Sequence, residues 1–209
     1  MQEDIKKIFD KAVDAILFNY PKITDSLFHL EARDHRRSLS TYIDIRDILS
    51  HLVTISKCLT KEQAEANYIN MCEHIRRAIV EPYQITLELK LRDIHSLYDL
   101  YKRNFLKREK LFFVSQEKTR QLRGEVESQF KKVSELWFEG RLLKSADLQS
   151  IEFEKAISSF LSGYNLLNEI EPKIEELYSS YYARKTQILV IGVFLLGIMG
   201  SLSFLLVKR

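Results

Sequence analysis

The chain of 209 residues holds only 6 glycines and 3 prolines. Gly192, Gly197 and Gly200 lie near the C-terminus, which leaves Gly124, Gly140 and Gly163 for everything before them. So few turn-formers exclude a strand-rich fold with many tight turns. The expected class is all-α, a helical bundle with long kinked helices and a helical hairpin. Cysteine is equally scarce. Cys58 and Cys72 have no CxxC or paired-histidine companion, so no metal is expected and both are read as reduced, partly buried thiols. No single sign of charge dominates. Of the formal charge of +3, Lys208 and Arg209 supply two units, so the body is near neutral and RNA or DNA is not a favoured partner. P-loop, GxSxG, HExxH and dinucleotide fingerprints are absent, and no cofactor is expected. The opening MQEDIKKIFDKAVDAILFNY is charged and amphipathic, without the apolar stretch of a signal peptide.

What the chain does have is one long uncharged run, Ile188 to Val207, reading ILVIGVFLLGIMGSLSFLLV. Twenty helical residues cover about 30 Å, the thickness of a bilayer's hydrocarbon core. The run is therefore expected to span a membrane once, with the N-terminal body cytoplasmic. Tyr178, Tyr181 and Tyr182 stand where an interfacial aromatic belt would be, followed by Arg184 and Lys185, with Lys208 and Arg209 beyond the run. The run includes Gly192, and within it Gly197 and Ser201 form a small-xxx-small pair, with Gly200 and Ser203 as neighbouring small positions, at which tails of several copies would pack closely.

Before the tail, apolar spacing predicts a first helix from Gln2 to Asn19, ended by Pro21, and a short one capped by Thr24 or Asp25. Residues 31–37 read as a polar connection. A third helix starts near Ser38–Ser40, with the stripe Ile45, Ile48, Leu49, Leu52, Ile55 and Leu59. Thr60 with Gln63 three residues on is a capping box for the next helix, which Pro82 should kink and which continues to Phe113. Residues 117–139 form another, with Gly140 as its C-terminal cap. From Ala146 the seam Phe153, Ile157, Phe160, Tyr164, Leu167 has coiled-coil spacing, interrupted by Pro172. Three regions follow: a helical domain over 1–113, a hairpin or stalk over 114–187, and the span over 188–207.

Two polar sets carry possible chemistry. Arg46, Asp47 and His51 fall in one helix as Arg-Asp-x-x-x-His. A guanidinium matches a phosphate and an imidazole titrates near neutral pH, the pair an acid–base phosphodiesterase needs. Asp44, Asp47 and His51 form a polar stripe, on which Asp47 would orient His51. Arg46 and His51, five residues apart, sit about 140° apart around the helix, so a joint site needs a second protomer or a long reach. The second set, Asn70, His74 and Arg77, with Asn67, Glu73 and Arg76 beside it, shares a face of the next helix. If the two helices form a hairpin, the sets build one polar pocket for a phosphate or nucleotide.

The Arg46-Asp47-x-x-x-His51 pattern resembles that of HEPN domains, small all-α modules, many of them metal-independent ribonucleases that act as dimers. The resemblance implies that Arg46 holds the scissile phosphate and His51 does the acid–base work. A HEPN-like body joined to a membrane helix resembles accessory membrane proteins of bacterial antiviral, CRISPR-associated systems. That likeness implies a membrane effector of a defence system that oligomerises through tail and body, opens a pore or changes permeability, and meets lipid and a protein partner. The alternatives are a tethered HEPN-type ribonuclease and a tail-anchored scaffold for a partner protein.

Overall fold

The computed structural model describes residues 2–34, 38–103 and 117–207, and every regular element among them is helical. The five helices are α1 (Glu3–Asp34), α2 (Leu39–Lys57), α3 (Lys61–Tyr101), α4 (Glu117–Leu143) and α5 (Ile151–Val207). The all-α class expected from the scarcity of turn-formers therefore holds. Three starts are set by hydroxyl caps. Ser38 Oγ accepts from Thr41 N, Thr60 Oγ1 from Gln63 N and Ser150 Oγ from Phe153 N, satisfying backbone donors that a first turn leaves open.

The described residues fall into two compact units. The first joins α1, α2, α3 as far as Asp93, the end of α4 from Phe130, and α5 to Leu167. Within it successive helices run antiparallel. On α2 and α3, Asp44 meets His74 while His51 meets Asn67. On α4 and α5, Glu139 meets Lys155 and Ser159. Parallel α1 and α3 join through Ser26 with Ala78 and Arg33 with Asp93. The core is Ile5, Ala12, Ile23 and Leu30 of α1 with Met71, Ile75, Ile79 and Leu87 of α3 and Phe153, Phe160 and Leu167 of α5. In the second unit, Tyr98 donates to Glu127 and Tyr178 to the Leu97 carbonyl, while Ile170, Ile174 and Leu177 are buried.

None of the three prolines ends a helix: Pro21, Pro82 and Pro172 all lie inside one. A helical proline strands the carbonyl four residues back. Pro21 and Pro172 are on exposed faces, where water reaches Leu17 O and Asn168 O. Thr24, expected as a cap, instead donates back to Pro21 O at 2.8 Å. Pro82 is buried, and its orphan is Ala78 O. The buried hydroxyl of Ser26 lies 3.1 Å from that carbonyl and 2.9 Å from Ile23 O of its own helix. The single hydroxyl proton is shared between the two carbonyls, so a side chain of α1 supplies part of the donor that α3 lacks. Ser26→Ala should lower stability by about 1–2 kcal/mol in urea unfolding, the cost of an unsatisfied buried carbonyl. In a Pro82→Ala background, where the helix supplies its own donor, the loss should shrink by at least about half. Equal losses in both backgrounds would exclude this role.

Gly140 is not a cap either, because α4 continues to Leu143. A Cβ there would stand 2.7 Å from the Phe160 ring, so glycine is required for the close approach of α4 and α5.

The largest correction concerns the C-terminal run. Among the described residues no helix is long and apolar enough to cross a membrane. The expected span from Ile188 through Gly192, Gly197, Gly200 and Ser201 to Val207, and the single-pass membrane location, are withdrawn. Gly192 has open space around it. The side chains of residues 197–207, and Tyr181 and Arg184 of the expected belt, lie outside those described, as do residues 35–37, 104–116 and 208–209. Tyr178 is no belt residue: it is edge-on to Tyr101 and bonded to α3.

Candidate functional site

The two polar sets do meet. α2 carries one and α3 the other, and the short turn at Cys58–Thr60 folds them into an antiparallel hairpin. At its centre is Asp44, only 4% exposed. It lies on the inward stripe of α2 with Thr41, Ile48 and Ile55. A carboxylate placed there needs partners. Its Oδ1 accepts from His74 Nδ1 at 2.8 Å and from Arg77 Nη2 at 2.5 Å. His74 and Arg77, expected to hold a phosphate, are thus turned onto a carboxylate of their own chain.

His51 is about two turns further along α2. Its Nδ1 lies 3.0 Å from Asn67 Oδ1. The amide of Asn67 is oriented by its own Nδ2, which donates to Gln63 O at 2.9 Å. Oδ1 can only accept, so His51 donates to it through Nδ1. The rings of His51 and His74 are 5.3 Å apart.

Asp47 does not orient His51. Arg46 clamps it, with Nε at 2.9 Å and Nη2 at 2.7 Å from Oδ1. That hydrogen bond holds the Asp47 carboxyl below its ordinary range. Arg46 itself is 71% exposed, on the outward side of α2. Asn70 is exposed one turn before His74. Arg76 pairs with Glu73 through Nη1 at 2.5 Å, while its Nε is buried without a hydrogen-bond partner.

Arg46 and His51 therefore do not converge. The cation faces outward and the imidazole faces α3. The pocket's other cation is spent on Asp44, and a second carboxylate stands beside it. A phosphate would meet the Asp44 and Asp47 carboxylates here. Among the described residues, no group of three or more His, Cys, Asp or Glu side chains is placed to hold a metal ion. The cluster's evident work is to zip α2 to α3.

No family model, curated protein or solved structure matches this chain. The HEPN resemblance is accordingly withdrawn, and with it the likeness to CRISPR-associated membrane proteins. It rested on three residues, of which Arg46 and Asp47 bond each other while His51 bonds Asn67.

Sequence reasoning named Asp44 only as part of a stripe and missed it as the organiser. The signal was available: Asp44, Ile48 and Ile55 share one helical face, so a carboxylate there had to be buried and paired. The apolar stripe first read on α2 is also displaced, since Leu49 and Leu59 are exposed. That leaves α2 with a second, outward apolar face.

Proposed function

We propose that this chain is a non-catalytic helical scaffold that works by assembling with copies of itself. One observation carries the reading. From Leu189 to Leu196 the side chains of Leu189, Val190, Ile191, Val193, Phe194, Leu195 and Leu196 are each 54–70% exposed. At 100° per residue they point around the whole circumference of α5. A single apolar stripe needs one neighbour, whereas a helix apolar on every side needs several. Isolated exposed apolar residues are ordinary, but a contiguous collar of them marks an interaction surface. Burying each is worth about 1.5–3 kcal/mol. Association costs about 4–15 kcal/mol, so seven such side chains are enough to decide its sign.

The polar cluster fits the same reading. It consumes its charges internally and holds α2 rigidly on the body, as a scaffold requires. Sedimentation velocity of the full chain over a hundredfold range of concentration tests the proposal. A discrete species of several copies, persisting in a mild non-ionic detergent, is expected. A monomer at every concentration overturns the reading.

A further inference from the structure

The outward face of α2 is the strongest unexplained surface in the first unit. Leu39, Tyr42, Arg46, Leu49 and Val53 follow one another at steps of three, four, three and four residues, the spacing of a coiled-coil seam. All are exposed, the apolar members by 43–73%. The buried face, Thr41, Asp44, Ile48 and Ile55, lies on the opposite side of the helix. α2 is thus apolar on two sides and covered by its own chain on one. Its inner face is bonded to α3 through Asp44, and Tyr42 of the outer face reaches Glu31 of α1, so the outer face is held in a fixed position.

The geometry points to a second copy of this chain as the occupant, docked on this face with the two α2 helices antiparallel about a two-fold axis at Arg46. This rests on the assembly reading above and adds a specific interface to it. The seam is close to self-complementary. Counting outward from Arg46, Leu39 and Val53 stand two turns away on either side, and Tyr42 and Leu49 one turn. A two-fold axis therefore sets Leu39 against Val53 of the second copy and Tyr42 against Leu49 of the second copy. Self-complementarity is what a two-fold contact demands of one patch.

The charges follow the same symmetry. Arg46 is the seam's only charged member, and Asp47 lies beside it on the rim, already bonded to it. Around a two-fold axis, two arginines and two aspartates form a quartet in which each guanidinium has a carboxylate on both sides. Against an apolar partner Arg46 would lose its water and keep only Asp47 of its own chain. One polar residue inside an apolar seam commonly sets register and orientation, and Arg46 takes that role here. An unrelated apolar helix would cover the leucines but leave Arg46 and Asp47 unmatched.

Two full-length variants test the interface by sedimentation, with circular dichroism confirming helicity. Leu49→Glu, at a half-exposed position that the fold does not need, should lower the mass of the assembly by about half and weaken the contact at least about thirtyfold. Arg46→Glu should weaken it about tenfold or more by like-charge repulsion. Adding Asp47→Arg to Arg46→Glu, which rebuilds the quartet with its signs exchanged, should recover most of the loss. Assembly of Leu49→Glu at the unaltered mass and concentration overturns the α2 interface and leaves the α5 collar standing. A second substitution that recovers nothing overturns the two-fold pairing. A monomeric unaltered chain is a different result, and removes the assembly reading itself.

Discussion

With glutamate at both Val193 and Leu196, the full chain should sediment as a monomer at concentrations where the unaltered chain is assembled. Both positions are exposed, by 69% and 70%, so neither is needed by the fold around it. They lie about 60° apart on the outside of α5. Each loses a burial worth about 1.5–3 kcal/mol and gains a carboxylate whose burial costs several more. The two together should weaken association at least about a thousandfold, since each 1.4 kcal/mol is a factor of ten. Glutamate at exposed Lys185, at the edge of the apolar run, is the control and should leave assembly nearly unchanged. An assembled Val193→Glu/Leu196→Glu chain would show that the collar is not the contact.

The second large effect is on stability. Asp44→Ala should cost about 2–4 kcal/mol in urea unfolding, equivalent to a fall in Tm of about 5–12 °C. The carboxylate is buried and bonded by His74 and Arg77 together. Removing it leaves both donors facing a cavity. Arg77 is half exposed and can turn to water, which keeps the loss below that of a fully buried pair. Asp44→Asn retains an acceptor and should lose less. Adding Arg77→Met to Asp44→Ala should return part of the stability by removing the stranded cation. A loss below about 0.5 kcal/mol for Asp44→Ala would mean that the cluster contributes little to holding α2 in place.

Helix existence was legible because it depends on local periodicity and on scarce turn-formers. The caps at Ser38 and Thr60 were legible for the same reason: each needs only its own first turn. Helix ends at prolines were not. Pro21, read as an end, lies inside α1, whereas Pro82, read as lying within a continuing helix, does lie inside α3, where a donor 52 residues away in α1 reaches Ala78 O. Gly140 misled similarly, since a glycine suits both a cap and a tight helix contact, and only the Phe160 ring decides between them.

The meeting of the two polar sets was foreseen from a hairpin, but their chemistry was not. Spacing places Asp47 and His51 on a common side, yet Arg46 is the nearer partner and takes the carboxylate. The motif counted residues, while its function depended on where side chains turned. The uncharged run at the C-terminus carried a length argument that the described residues do not sustain.

The Ser26 hydroxyl at the Pro82 break also restricts motion. Long parallel helices joined only by apolar contacts can slip past each other by a turn, trading one set of contacts for another. Here Ser26 must find the single carbonyl that Pro82 leaves open. A slip of one turn would take Ser26 away from the Ala78 carbonyl. α1 is thus keyed to α3 like a tooth in a notch, and any signal crossing the first unit has to travel by tilting its helices, not by sliding them.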